Sequence, residues 1–127
     1  MILEIDLSAE TPLYQQIRDQ IVLGITRGDF QSGEQLPPVR QLASDLGINF
    51  MTVSKAYNLL KQEGWIVTER GRGSRVVLPE AEQALPDAAY WQKLSLLLAE
   101  GLAQSRDPEA FAEKAGACLQ HLMKERP

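Results

Sequence analysis

The run Arg70-Gly71-Arg72-Gly73-Ser74-Arg75 alternates guanidinium side chains with residues that leave the backbone bare. Guanidinium groups grip phosphate oxygens in a planar fork, and glycine lets the main chain come close to a polyanion or enter a narrow groove. A second set lies upstream. Phe50, Met51, Thr52, Ser54, Lys55 and Asn58 stand at the start of a helical pattern that holds no acidic residue before Glu63. Such a surface suits the base edges of a major groove. Arg40 lies near the start of the preceding helical pattern, from where it can reach a phosphate or a base edge.

Other chemistry is poorly provided for. Cys118 is the one cysteine and His121 the one histidine. A multi-His metal site and a structural zinc site are excluded, and a lone thiol closes no internal disulfide. Cys118 reads as a small core residue. No nucleophile and base are set together, and no P-loop pattern occurs, so no catalytic residue, metal or cofactor is expected and the chain is not read as an enzyme. No apolar run approaches the roughly 20 residues of a membrane helix. The start, MILEIDLSAETP, lacks the basic region and apolar stretch of a secretory signal, so a cytoplasmic protein is expected.

The elements that must position these residues follow from periodicity. Met1 to Leu7 alternates weakly and could be a short strand. Thr11-Pro12 resembles a capped helix start, and Leu13, Ile17, Ile21 and Ile25 recur every four residues up to Gly28. Asp29 to Gln35 is predicted to be a loop. Pro37-Pro38 opens a helix with Val39, Leu42, Ala43 and Leu46 on one face, ended by Gly47. Asn49 can cap the next helix, from Phe50 to about Glu63, whose apolar face is Val53, Ala56, Tyr57 and Leu60. A hairpin follows, with extended runs Trp65 to Thr68 and Val76 to Leu78 and its tip near Arg70 to Ser74. A helix pair joined through glycine and trailed by a hairpin is a winged helix-turn-helix pattern.

The chain has 127 residues and a net charge of −4. Its length suits one domain, or one small domain with an appendage. The acidic balance by itself argues against a nucleic-acid partner. Its distribution reverses that argument. Residues 40–75 hold six basic and three acidic side chains, a net +3, between a front of −4 and a tail of −3.

At this point the residues resemble a known family. LPPVRQLASDLGINFMTVSKAYNLLKQEGWIVTERGRGSRVV is similar to the winged-helix domain of GntR-family transcription regulators, and the likeness extends back through TPLYQQIRDQIVLGITRGDFQSGEQ to cover about residues 11–78. The Leu-Pro-x-x-Arg entry, the Thr-Val step, the Ala-Tyr, the Glu-Gly and the Gly-x-Gly wing occur in order. The resemblance implies DNA contacts from Arg40, from Asn49, Phe50, Met51 and Thr52 in the first turn of the recognition helix, and from Arg70, Gly71, Arg72 and Gly73 in the wing. Arg75 completes the basic wing, and Lys55 matches a basic position of the YtrA-like subfamily. Many members carry Arg where Phe50 stands, and some where Ser54 stands. Specificity is therefore expected to rest on Arg40, Asn49, Met51, Thr52, Lys55 and the wing. Two roles stay open for Phe50: contact with a thymine methyl, or local packing.

Composition shifts after Leu78. Residues 79–86 read as a linker. Asp87 and Asp107-Pro108 start two further amphipathic helices within 87–127. Such a pair cannot bury its own apolar faces well, so Trp91, Leu94, Leu98, Leu102, Phe111 and Leu119 need a partner surface. Packing on the same chain is one solution. A homodimer is preferred here, because it matches a palindromic operator and because YtrA-like regulators, by resemblance, dimerise through this region.

The expected architecture is mainly α with a small β-hairpin: a winged helix-turn-helix domain over 1–78 followed by a short two-helix dimerisation tail. The expected function is sequence-specific regulation of transcription, as a repressor, on double-stranded operator DNA. No membrane partner is expected, and the sequence names no small-molecule effector. The alternative is a protein–protein adaptor whose winged helix no longer reads DNA.

Overall fold

Ile17 and Ile21, one helical turn apart, are fully buried, and they anchor the first helix to the core. In the computed structural model residues 3–77 and 84–127 are described. The chain divides into two units, Met1–Leu78 and Pro79–Pro127.

The first unit is built in the order α1 (Leu13–Arg27), α2 (Val39–Leu46), α3 (Phe50–Gln62), β1 (Ile66–Glu69) and β2 (Gly73–Val76). Its core gathers the buried stripe of each helix: Ile17 and Ile21 from α1, Leu42 and Ala43 from α2, and Val53, Ala56, Tyr57 and Leu60 from α3. Phe30 and Leu36 close it from the connection between α1 and α2, and Ile66 and Val76 close it from the hairpin. Gly24 makes room for the Phe30 ring, since a Cβ there would stand 2.7 Å from it.

Several expectations change. The start of the chain is not a strand over the described residues 3–7. Instead two glutamines one turn apart on α1 supply the partners a neighbouring strand would offer. The Gln20 side-chain amide exchanges hydrogen bonds with the Glu4 backbone, and the Gln16 amide does so with the Asp6 backbone at 2.9 Å each way. Side-chain amides satisfy the main chain without a ladder, while Leu3 and Ile5 pack on the core. Thr11 does not cap α1. Pro12 takes the cap position with no side-chain bond, and Thr11 instead accepts from Gln16 through its carbonyl.

The second strand begins earlier than its apolar residues suggest. It runs from Gly73, in register with Glu69, so only residues 70–72 form the tip. Leu78, the end of the expected run, lies outside the described residues. Residues 33–36, the end of the expected loop and the residue after it, bond the free edge of β2: Leu36 N–H donates to the Ser74 carbonyl at 2.8 Å, and Val76 N–H to the Glu34 carbonyl at 2.8 Å. The hairpin is thereby tied along its β2 edge to the connection between α1 and α2.

The second unit is the helix pair α4 (Ala88–Ala103) and α5 (Pro108–Glu125). Asp87 caps α4 by accepting from Tyr90 N–H, and Asp107 caps α5 by accepting from Ala110 N–H. Of the linker read over 79–86, residues 79–83 lie outside the described residues, and 84–86 form no helix or strand. The seam between the helices is narrow. Gly101 meets Phe111 so closely that a Cβ would stand 2.5 Å from the ring. Neither helix has a buried residue. Cys118, read as a core residue, is exposed because the seam runs along the half-buried Phe111, Ala115 and Leu122 instead.

Candidate nucleic-acid interface

The turn between α2 and α3 fixes how α3 leaves the core. Gly47 ends α2 with φ at 69°, a left-handed conformation that a side chain disfavours. Ile48 N–H then returns to the Ala43 carbonyl at 3.0 Å. Asn49 caps α3, its side-chain oxygen accepting from Met51 N–H at 2.8 Å. With Val53, Ala56, Tyr57 and Leu60 turned inward, the same helix must turn Phe50, Met51, Lys55 and Asn58 outward. Phe50 is 42% and Met51 67% exposed. Thr52 is half-buried.

Two cations flank this face, and each lies against an aromatic ring. The Arg40 guanidinium carbon is 4.5 Å from the Phe50 ring centroid. The Lys55 ammonium is 4.1 Å from that of Tyr14, which α1 contributes. Among the described residues neither cation pairs with a carboxylate. The acidic groups nearby are occupied elsewhere: Glu63 takes Arg18 at 2.8 Å, and Asp45 takes the Gln41 amide at 2.8 Å. Tyr14, Met51, Lys55 and Asn58 line a shallow groove between α1 and α3.

The wing is more constrained than its sequence suggests. Gly71 and Gly73 hold φ at 81° and 69°. The Gln35 side-chain amide donates to the Arg72 carbonyl and lies 3.1 Å from where a Cβ on Gly73 would stand. Glu69 takes Arg75 in a close ion pair and faces Arg72 at 3.8 Å. The hydrogen bond from Arg75, reinforced by its charge, holds the Glu69 carboxyl below its ordinary pKa. Arg75 is therefore a neutralised, half-buried strand residue, whereas Arg70 is exposed and has no carboxylate partner among the described residues.

The first unit thus brings Arg40, Asn49, Phe50, Met51, Thr52 and Lys55 around the start of α3, and Arg70, Gly71, Arg72, Gly73 and Arg75 along the wing. Periodicity missed Tyr14 and Gln35. Tyr14 does carry a signal, as a large aromatic one position off the buried stripe of α1. Gln35 carries none, because its role depends on pairing with a strand about forty residues later.

In the second unit the six residues read as an interface divide. Leu94 and Phe111 are half-buried, while Trp91, Leu98, Leu102 and Leu119 are exposed beside Leu96, Leu97 and Met123. Among the described residues no group of His, Cys, Asp and Glu could hold a metal ion, and no helix is long and apolar enough to cross a membrane.

Comparison with known proteins gives the pattern its place. The profile of bacterial regulatory proteins of the gntR family matches residues 13–76, which hold all of α1 to β2. The HTH-type transcriptional repressor YtrA of Bacillus subtilis is 43% identical over 74 residues, covering 58% of this chain and 57% of that protein. The chain thus matches little more than half the length of that relative. The HTH-type transcriptional regulator Rv1152 of Mycobacterium tuberculosis is 36% identical over 104 residues, covering 81% of this chain and 85% of that one. A solved structure of YtrA from Sulfolobus acidocaldarius, described as a GntR-family transcription factor, superposes with a TM-score of 0.68 at 39% identity, covering 81% of this chain and 99% of that one. The chain therefore belongs to the gntR family of bacterial regulatory proteins, DNA-binding helix-turn-helix regulators of transcription.

Proposed function

We propose that this protein is a repressor that binds a palindromic operator as a homodimer. Each subunit lays the first two turns of α3 in a major groove and its wing against the adjacent minor groove. Asn49, Met51, Thr52 and Lys55 face base edges, Arg40 reaches a base edge or phosphate, and Arg70, Gly71, Arg72 and Gly73 follow the backbone. Arg75 acts within the wing, holding its strands through Glu69. The observation that carries this reading is the pair of unneutralised cations beside an exposed, acid-free turn of α3. Repression is the role for which the Bacillus relative is named.

The tail supplies the homodimer. Lys93 and Glu100 are the only charged residues of α4, and leucines occupy most sides of it. A helix apolar around its circumference belongs in a core, and no residue of α4 is buried. A second copy of the pair would cover Trp91, Leu98, Leu102 and Leu119, while Leu94 and Phe111 hold each pair together.

Retardation of a duplex from a region upstream of the regulated genes, titrated with salt, tests the reading. Affinity should fall linearly on logarithmic axes, with a slope of roughly −0.9 per phosphate neutralised. No retardation at low salt would favour the adaptor. Sedimentation of the full chain should give a dimer, and Leu98→Glu should give a monomer.

A further inference from the structure

An ion pair orients a cation and also spends its charge. An aromatic ring attracts a cation through its quadrupole and leaves the full charge available to a third party. The two arrangements occur side by side in this domain. Arg18, Arg72 and Arg75 are held by carboxylates. Arg40 and Lys55, flanking the exposed turn of α3, are held by the rings of Phe50 and Tyr14.

We infer that Tyr14 and Phe50 are positioning residues, whose rings pre-orient Lys55 and Arg40 for DNA without neutralising them. The inference rests on the DNA reading above and adds to it two residues that act through their neighbours. Long basic side chains lose rotamer freedom on binding, and a ring that already restricts them reduces that loss. The placement also decides between the two roles left open for Phe50. One face of its ring is covered by the guanidinium of Arg40, so Phe50 supports a reader, and the thymine-methyl contact falls to the more exposed Met51. Tyr14 gives α1 a part in recognition besides its part in the core, because it is the ring from α1 that reaches across to Lys55.

The test is a pair of double-mutant cycles, Tyr14→Leu with Lys55→Met and Phe50→Leu with Arg40→Met. The probe is a duplex selected from a random-sequence pool on the wild-type protein. Each ring removal should weaken binding by roughly 2- to 5-fold, as exposed cation–ring contacts do. It should add nothing once the partner cation is gone. Tyr14→Phe, which keeps a ring, should recover the affinity lost in Tyr14→Leu. Ring and cation effects that multiply independently would overturn the inference, as would a Tyr14→Leu protein that binds like wild type.

Proton spectra of the free wild-type protein give a second measure, independent of DNA and of variant stability. The Lys55 side-chain methylene resonances should move upfield under the Tyr14 ring. Their absence from ring-shifted positions would also overturn the inference. A wild-type protein that selects no duplex from the pool would instead overturn the DNA reading, so the two failures are distinguishable.

Discussion

The Tyr57 hydroxyl donates to the Pro37 carbonyl at 2.7 Å and ties the middle of α3 to the residue two positions before α2. That bond joins the two helices whose relative angle decides where Arg40 stands with respect to Phe50. Burial pushes the Tyr57 hydroxyl up to about 12, so it remains a donor at any physiological pH. Tyr57→Phe should cost about 1 kcal/mol, the net worth of one such bond. The pH dependence has a definite sign. The folded-state value lies above the ordinary 10, so this contribution is complete below pH 10 and is lost as pH rises from 10 through about 12. Urea midpoints of wild type and Tyr57→Phe should therefore converge and then cross as pH rises through that interval, because the buried phenolate costs more than the roughly 1 kcal/mol the bond contributes. A gap that stays constant would remove the buried hydroxyl as its cause.

Asn49 has two tasks that a pair of substitutions separates. Its oxygen caps α3 through Met51 N–H, and its amide is proposed to face DNA. Asn49→Ala should lose about 1 kcal/mol of stability. Asn49→Asp keeps the acceptor and suits the positive end of the helix dipole, so stability should hold. It also brings a negative charge to the reading face, so its affinity for DNA should fall below that of Asn49→Ala. Thermal unfolding and anisotropy titrations, run on both variants, give the two readouts.

Glu69 restrains the wing's charge. Glu69→Gln removes the carboxylate that holds Arg75 and faces Arg72. Affinity should rise, and the salt slope should steepen by about 1 to 2 for each subunit as those guanidinium groups reach phosphate. An unchanged slope would show that neither arginine comes near the backbone. Because Arg75 depresses the Glu69 carboxyl, acidification should imitate the substitution only below the ordinary carboxylate range.

Gly101 is the point of closest approach between α4 and α5. Gly101→Ala would place its Cβ 2.5 Å from the Phe111 ring and force the helices apart. A cost of about 1–3 kcal/mol is expected, as for overpacking elsewhere. Since the dimer is proposed to form on this pair, sedimentation should shift toward monomer and operator affinity should fall with it. A dimer as tight as wild type would place the interface elsewhere.

Much of the fold was legible because its signals are local. The stripe Ile17, Ile21 on α1 and the stripe Val53, Ala56, Tyr57, Leu60 on α3 repeat with the helical period, and each is buried. Gly28 and Gly47 end helices in the left-handed conformation their type allows. Asn49, Asp87 and Asp107 cap as short polar residues do. The strand expected at the start of the chain failed because its partners are distant in sequence. Residues 3–6 alternate like a strand, but whether they have a ladder partner depends on what α1 presents, and it presents the amides of Gln16 and Gln20.

The sequence by itself determined the order of helices, the turn before α3, the basic wing and the uneven charge, because hydrophobic period, capping chemistry and glycine conformation act within a few residues. Only the tertiary structure decided which cations stay free. Glu63 meets Arg18 across 45 positions, Glu69 meets Arg75 across a hairpin, and Lys55 finds Tyr14 on another helix. Charge pairing depends on distance in space, and a net +3 over residues 40–75 does not say which charges remain for DNA.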